Sequence, residues 1–290
     1  MRITESRLLE ITTRGVDAAK QKVGRASAEL SSGMRVRRPS DDPSAWLEGM
    51  RAKARKEVSV AHGKASAAAQ DRLSESELRV QEMIDIFSQA RERSVMFANE
   101  SYDAAARQLG AEEMLVIRDR ALNALNAQGT SGEYLFAGSQ SSTPPFSPQG
   151  AYQGDSSTRQ VGTGAGATVA MSIPGNEFTS QFGVDVLATL DNFISALSNN
   201  DPAAIRLSMG ELEAAFDQVN GIMRRIGARG ASMMAADDAR LDLELQLDGI
   251  YSSRTATDAV KSAVDLNEAN NALEGSRAAS QQIVSMTRVS

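Results

Sequence analysis

Two stretches near opposite ends of the chain repeat apolar and small residues every seven positions. Leu9, Val16, Val23 and Leu30 recur at that step, with Thr12, Ala19 and Ala26 offset by three. Leu266, Leu273 and Ser280 do the same near the other end, with Ala269, Ser276 and Ile283 at the offset. A 3–4 alternation of this kind lines one narrow stripe of a helix, the seam that a coiled coil buries. Nearly half of these positions hold Ala, Ser or Thr, which remove little apolar area from water. Seam burial therefore barely offsets the entropy of ordering two helices. The pattern predicts terminal helices that pair with each other and become ordered on assembly, as expected of a building block rather than an enzyme.

Composition points the same way. Hydrophobic residues make up 41% of the 290 positions but aromatics only 4%, a balance that favours long helices with closely approaching Ala-rich faces. The net charge of −6 argues against nucleic acid as a partner, which demands clustered Lys and Arg. With no cysteine, disulfides and thiolate metal sites are excluded. The amino-terminal MRITESRLLEITTRG has no apolar h-region and does not read as a secretory signal peptide. No apolar run reaches the length of a membrane span, so no membrane insertion is expected.

Pattern divides the chain into parts. Arg2–Ser32 reads as a helix stopped at Gly33, followed by a charged loop from Met34 to Asp42 and a restart at Asp42-Pro43, a cap and first helical residue. A long rod from Ser44 to about Glu100 keeps the seven-residue step through Leu73, Val80 and Phe87, and a second helix spans about Asp103 to Asn126. Between Gly129 and Asp185 the texture changes, with ten of the 22 glycines and four of the seven prolines. Strand-like runs there occur at Tyr134–Phe136, Thr158–Val161 and Thr168–Ile173. Helical periodicity returns after Val186, broken at Asn199–Pro202 and again around Gly227–Gly230. The expected fold is mainly α with a β-rich insertion, in which the N- and C-terminal halves form long antiparallel helical rods. Residues 1–43 with 254–290 form a terminal coiled-coil part that includes the charged loop. Residues 44–128 with 186–253 form a helical rod, and 129–185 a small β domain.

Catalytic chemistry finds no foothold. His62 is the lone histidine, in an Ala- and Lys-rich helical stretch, and reads as a solvated helix residue. Gly162, Gly164 and Gly166 lack the spacing and the following helix of a phosphate loop. Arg51, Lys53, Arg55 and Lys56 form a basic cluster at helical spacing without interleaved aromatics, which reads as a solvated face. Asp41 and Asp42 beside prolines read as caps, and Trp46 as a packed residue. No catalytic, metal or cofactor site is expected.

The block Leu30-Ser31-Ser32-Gly33-Met34-Arg35-Val36, running into Pro39-Ser40-Asp41-Asp42-Pro43-Ser44-Ala45, resembles the N-terminal signature of the bacterial flagellin family. Gln89–Val95 with Ala98-Asn99-Glu100 resembles the family's helix after the first rod, Arg225–Arg229 its turn into the penultimate helix, and Val264–Ala269 the start of its last one. Gly132–Gly138, Pro145-Phe146 and Tyr152–Asp155 resemble the hook-associated branch. The tail Met286-Thr287-Arg288-Val289-Ser290 departs from the family's more apolar, leucine-containing ending.

The resemblance implies an extracellular structural subunit of the flagellum, exported through its type III apparatus without a cleaved signal. It would join hook to filament by ring assembly with copies of itself. Its implied partners are the neighbouring hook-associated junction protein, flagellin and a flagellar export chaperone. The alternative within the family is a flagellin forming the filament; the alternative outside it is an enzyme housed in the insertion. Candidate assembly residues are the seam positions Leu9, Val16, Ala19, Val23, Ala26, Leu30, Leu266, Ala269, Leu273 and Ile283, together with the loop residues Arg35, Arg37, Arg38, Asp41 and Asp42.

Overall fold

The computed structural model describes residues 5–164 and 167–287. Six helices follow one another: α1 (Glu5–Ser32), α2 (Pro43–Phe97), α3 (Ala104–Leu125), α4 (Val186–Ser198), α5 (Pro202–Thr255) and α6 (Ala259–Thr287). Between α3 and α4 lie an antiparallel pair of strands, β1 (Gln160–Gly164) and β2 (Ala167–Ala170), and a single 3₁₀ turn at Gly175–Phe178. The chain divides into two compact units, one made of Met1–Val58 and Leu243–Ser290, the other of Ser59–Asp242.

Every helix after the first is started by an aspartate. Asp42, Asp103, Asp185, Asp201 and Asp258 each accept a backbone N–H from the turn that follows, at 2.8–3.1 Å. This satisfies donors that the helix itself leaves open and sets a negative charge at the positive end of its dipole. Pro43 and Pro202 occupy the first helical position behind two of these caps, where their missing N–H costs nothing. α1 is stopped by Gly33, whose φ of 67° lies in the left-handed region and whose N–H returns to Glu29 O at 2.9 Å. The C-terminal end of α2 is closed by the buried Arg107, which donates to Phe97 O, Asn99 O and Asn200 Oδ1 at 3.2, 3.1 and 2.6 Å.

The second unit holds the apolar core. Met83, Ile86 and Phe87 of α2, Met114 and Leu125 of α3, Leu190 and Phe193 of α4, and Val219 and Ile222 of α5 are all fully buried. Leu135, Phe136, Ile173 and Phe178 from the segment between α3 and α4 join the same core, with Phe136 and Phe178 edge to face at 5.4 Å. Each of these large side chains stabilises by about 1.5–3 kcal/mol relative to exposure.

Three expectations from the sequence change here. Tyr134–Phe136 is not a strand; Tyr134 forms only an isolated bridge with Gln128. The other two expected strand runs contribute the short β1–β2 pair, and Gly166 lies outside the described residues. α5 runs unbroken through Gly227 and Gly230, because each isolated glycine costs a helix only about 1 kcal/mol, which flanking helical packing offsets. Arg225–Arg229 is accordingly mid-helix, not a turn.

The irregular middle segment is paired by helix side chains in place of a sheet. Asn126 donates to Phe146 O and accepts from Phe146 N, both at 2.9 Å. Gln218 donates to Glu177 O and accepts from Val184 N, both at 2.8 Å. Arg72, Arg118 and Arg229 donate to Tyr134 O, Pro148 O and Ser172 O at 2.8, 3.0 and 2.7 Å. Backbone groups that would be orphaned in a buried loop thus find partners. Burial holds the Arg72 and Arg229 guanidiniums below their ordinary pKa.

Asp155 ties one turn of this segment. Its carboxylate accepts from the Ser139 hydroxyl, from Ser139 N and from Ser157 N, the last two at 2.9 Å. These bonds, the Ser139 hydroxyl first, lower its pKa from 3.8 to about 2. A carboxylate depressed on folding stabilises fully above its unfolded value and progressively loses that contribution below it. Acidification from about pH 4 to pH 2 is therefore expected to loosen the 138–157 turns, read as amide shifts and faster exchange at Ser139 and Ser157. Asp155→Asn should flatten that dependence.

Candidate assembly surfaces

In the first unit α1 and α6 pack on each other along the stripes that the seven-residue steps mark. Ala19, Ala26 and Ala269 are buried, at 6–7% exposure. The larger seam residues Val16, Val23, Leu266, Leu273 and Ile283 are half-buried. Small side chains mark the closest approach, as ridge-into-groove packing requires. Leu30, near the C-terminal end of α1, is more open, at 39% exposure. The side chain of Leu9 and most of the atypical tail lie outside the described residues.

This unit has almost no large buried apolar side chains. Among the described residues, its fully buried hydrophobics are five alanines (Ala19, Ala26, Ala45, Ala52 and Ala269), with Val36 and Leu247. Meanwhile Ile11, Leu47, Val58, Val260 and Val264 stand 49–76% exposed. A unit that buries alanine and exposes valine, leucine and isoleucine has its missing burial on the outside.

The charged loop is clipped to the end of α5. Arg35 N and Val36 N donate to Thr255 O at 2.8 and 3.2 Å, and Thr257 N returns to Gly33 O at 2.9 Å. The Arg35 guanidinium donates to Arg254 O at 3.1 Å and meets Asp42 Oδ2 at 3.4 Å. Asp41 Oδ2 accepts the backbone N–H groups of Arg37 and Arg38 at 3.0 and 2.9 Å. Those backbone bonds hold Asp41 below the usual carboxylate range, and the Ala45 N–H does the same for Asp42. Arg35, Asp41 and Asp42 are thus engaged within the chain. Arg37 and Arg38 point into solvent and form no ion pair among the described residues.

Two residues of this region had no visible signal in the sequence. Thr255 is buried and accepts the loop, and Gly49 lies so close to it that a Cβ there would sit 2.8 Å from Thr255 Cγ2. Elsewhere His62 is not a free surface residue. It is half-buried, with Nδ1 3.0 Å from Gly162 O, docking β1 on α2. Trp46 is half-buried. Among the described residues no three His, Cys, Asp or Glu side chains are grouped to hold a metal ion, and no helix is long and apolar enough to cross a membrane.

Comparison with known proteins places this architecture. Residues 7–141 match the model of the bacterial flagellin N-terminal helical region. Hook-associated proteins are among the relatives that it resembles. Flagellar hook-associated protein 3 of Salmonella typhimurium is 26% identical over 211 residues, covering 68% of this chain and 67% of the relative. The protein of that name from Escherichia coli is 23% identical over 220 residues, covering 74% and 69%.

Solved structures share the fold. FlgL of Bacillus cereus, 19% identical, superposes with a TM-score of 0.60 over 71% of this chain and 99% of its own. The flagellar junction protein FlgL of Legionella pneumophila, 15% identical, gives 0.60 over 72% and 100%. A protein of Vibrio parahaemolyticus assigned as flagellar hook-associated, 22% identical, gives 0.69 over 74% and 100%.

The exposed guanidiniums give a test of the loop. Arg37→Glu with Arg38→Glu is expected to leave monomer melting within about 2 °C, as for surface changes generally. It should raise the concentration needed for assembly, measured by sedimentation, about tenfold. Arg35→Glu, which breaks contacts to Arg254 and Asp42, should lower the melting temperature as well.

Proposed function

We propose that this chain is a structural subunit of the bacterial flagellum, a hook-associated junction protein that joins hook to filament. Copies assemble through the terminal helices and the charged loop. The observation that carries this reading is the alanine core of the first unit. A unit of that size with so little apolar burial gains its stability from neighbours, and subunits of a tube supply them. The kinship with hook-associated protein 3, rather than with a filament flagellin alone, favours the junction over the filament. A structural kinship also argues for a non-catalytic role.

In this reading neighbouring subunits hold the α1–α6 seam together and meet Arg37 and Arg38, and the three parts of the chain, 1–43 with 254–290, 44–128 with 186–253, and 129–185, act as inner, rod and accessory portions. The partners are further copies, the adjoining hook-associated protein, flagellin, and an export chaperone. The place of action is outside the cell.

Deleting the gene and viewing cells by electron microscopy tests this directly. Bare hooks with flagellin released into the medium are the expected result. Hooks without filaments and without free flagellin would make the chain the filament subunit instead. Intact filaments would refute both.

A further inference from the structure

The first unit carries a groove and, elsewhere on its surface, a helix face that matches it. The groove runs open to solvent between α1 and α6, with a volume of about 600 Å³. Its floor is Ala26 and Ala269, which are buried. Lys22 and Arg25 form one wall, with Glu29 beyond them, and Asp265 and Glu268 form the other. The four charges Lys22, Arg25, Asp265 and Glu268 are exposed, and none of them makes an ion pair among the described residues. Two walls of opposite sign that do not pair across their own groove are open to a partner with the reverse pattern.

The start of α2 has that pattern. Leu47, Ala54 and Val58 are exposed at steps of seven and four residues, which keeps them on one side of the helix as an apolar stripe, Leu47 and Val58 being 49% and 58% accessible. At 3.6 residues per turn Arg51 and Arg55 fall on one flank of that stripe and Glu57 on the other. The basic cluster is divided in its use. Lys56 is spent within the chain, on Asp248 at 2.6 Å. Arg51, Arg55 and Glu57 are exposed and unpaired among the described residues.

We propose that α2 of a second copy of this chain seats in the α1–α6 groove. Leu47, Ala54 and Val58 cover the alanine floor, Arg51 and Arg55 meet Asp265 and Glu268, and Glu57 meets Lys22 and Arg25. The contact is heterologous, one surface against a different one, and each copy presents both halves. Repetition therefore builds a ring or an open helical array rather than a closed dimer. This deepens the assembly reading above and rests on it. It also gives a use to a basic cluster that looks like an ordinary solvated face in the sequence.

Charge exchange tests the pairing. Arg51→Glu with Arg55→Glu, and separately Asp265→Lys with Glu268→Lys, are each expected to raise the critical concentration for assembly at least tenfold, with helicity and monomer melting unchanged. The chain carrying all four substitutions should return to within about threefold of the parent. Because the chain has no cysteine, a second readout is available. Val58→Cys chains mixed with Ala272→Cys chains should form disulfide-linked heterodimers under mild oxidation, while neither variant alone does. Assembly of the parent with no effect from the charge variants, or with no recovery in the fourfold variant, would overturn this contact and leave the assembly reading standing. A parent that forms no oligomer at any concentration, even when seeded, would overturn both.

Discussion

Close packing of alanines between α1 and α6 is the interaction on which the rest of the first unit depends. Ala19, Ala26 and Ala269 let the two helices approach, yet each contributes little transfer free energy. Two helices of this length lose far more conformational entropy on ordering than three alanines and a few half-buried valines and leucines return. The consequence is a unit with little apolar burial of its own. Its larger apolar side chains, Ile11, Val260 and Val264 among them, remain on the surface, where a neighbour gains by covering them. On the proposed assembly reading this division has a use, because the stability of such a unit would rise with the concentration of copies around it.

The second unit solves the opposite problem. Its core is large and apolar, but much of it comes from a segment rich in glycine and proline that forms only one short pair of strands. Asn126 and Gln218 each supply both a donor and an acceptor to that backbone, doing for single residues what a neighbouring strand does for a ladder. Arg72, Arg118 and Arg229 reach further carbonyls. The acidic residues Glu133 and Asp191 face Arg72 and Arg118, so two of the three charges brought inward have an acidic partner. Removing such a side chain would cost its own contacts and would also leave a carbonyl without a partner.

Much of this could be read in the sequence wherever one physical rule acts alone. The seven-residue steps located the α1 and α6 stripes because coiled-coil burial depends on spacing only. Gly33 and Asp42-Pro43 marked a stop and a start because left-handed backbone and open N–H groups admit few residue types. The same aspartate logic would have located Asp185, Asp201 and Asp258. The reading failed where distant parts of the chain decide. Gly227 and Gly230 look like a break, but a glycine's cost is small beside the packing of a long helix. Tyr134–Phe136 has strand composition, yet its backbone bonds go to Ala127, Ser141 and Gly175 and to the Arg72 side chain rather than to a neighbouring strand. His62 and Gly49 acquire their roles from Gly162 and Thr255, and no local pattern carries that information. The charged loop lay between these extremes, with the capping role of Asp42 legible and the clip to Thr255 not.

On the proposed reading the first unit takes its stability from its neighbours. Amide hydrogen exchange, compared between dilute monomer and assembled protein, addresses it most directly. Rapid exchange is expected in α1 and α6 of the monomer and strong protection of both after assembly, with Met83–Phe87 protected throughout. Protection of α1 and α6 in the dilute monomer equal to that of Met83–Phe87 would contradict it.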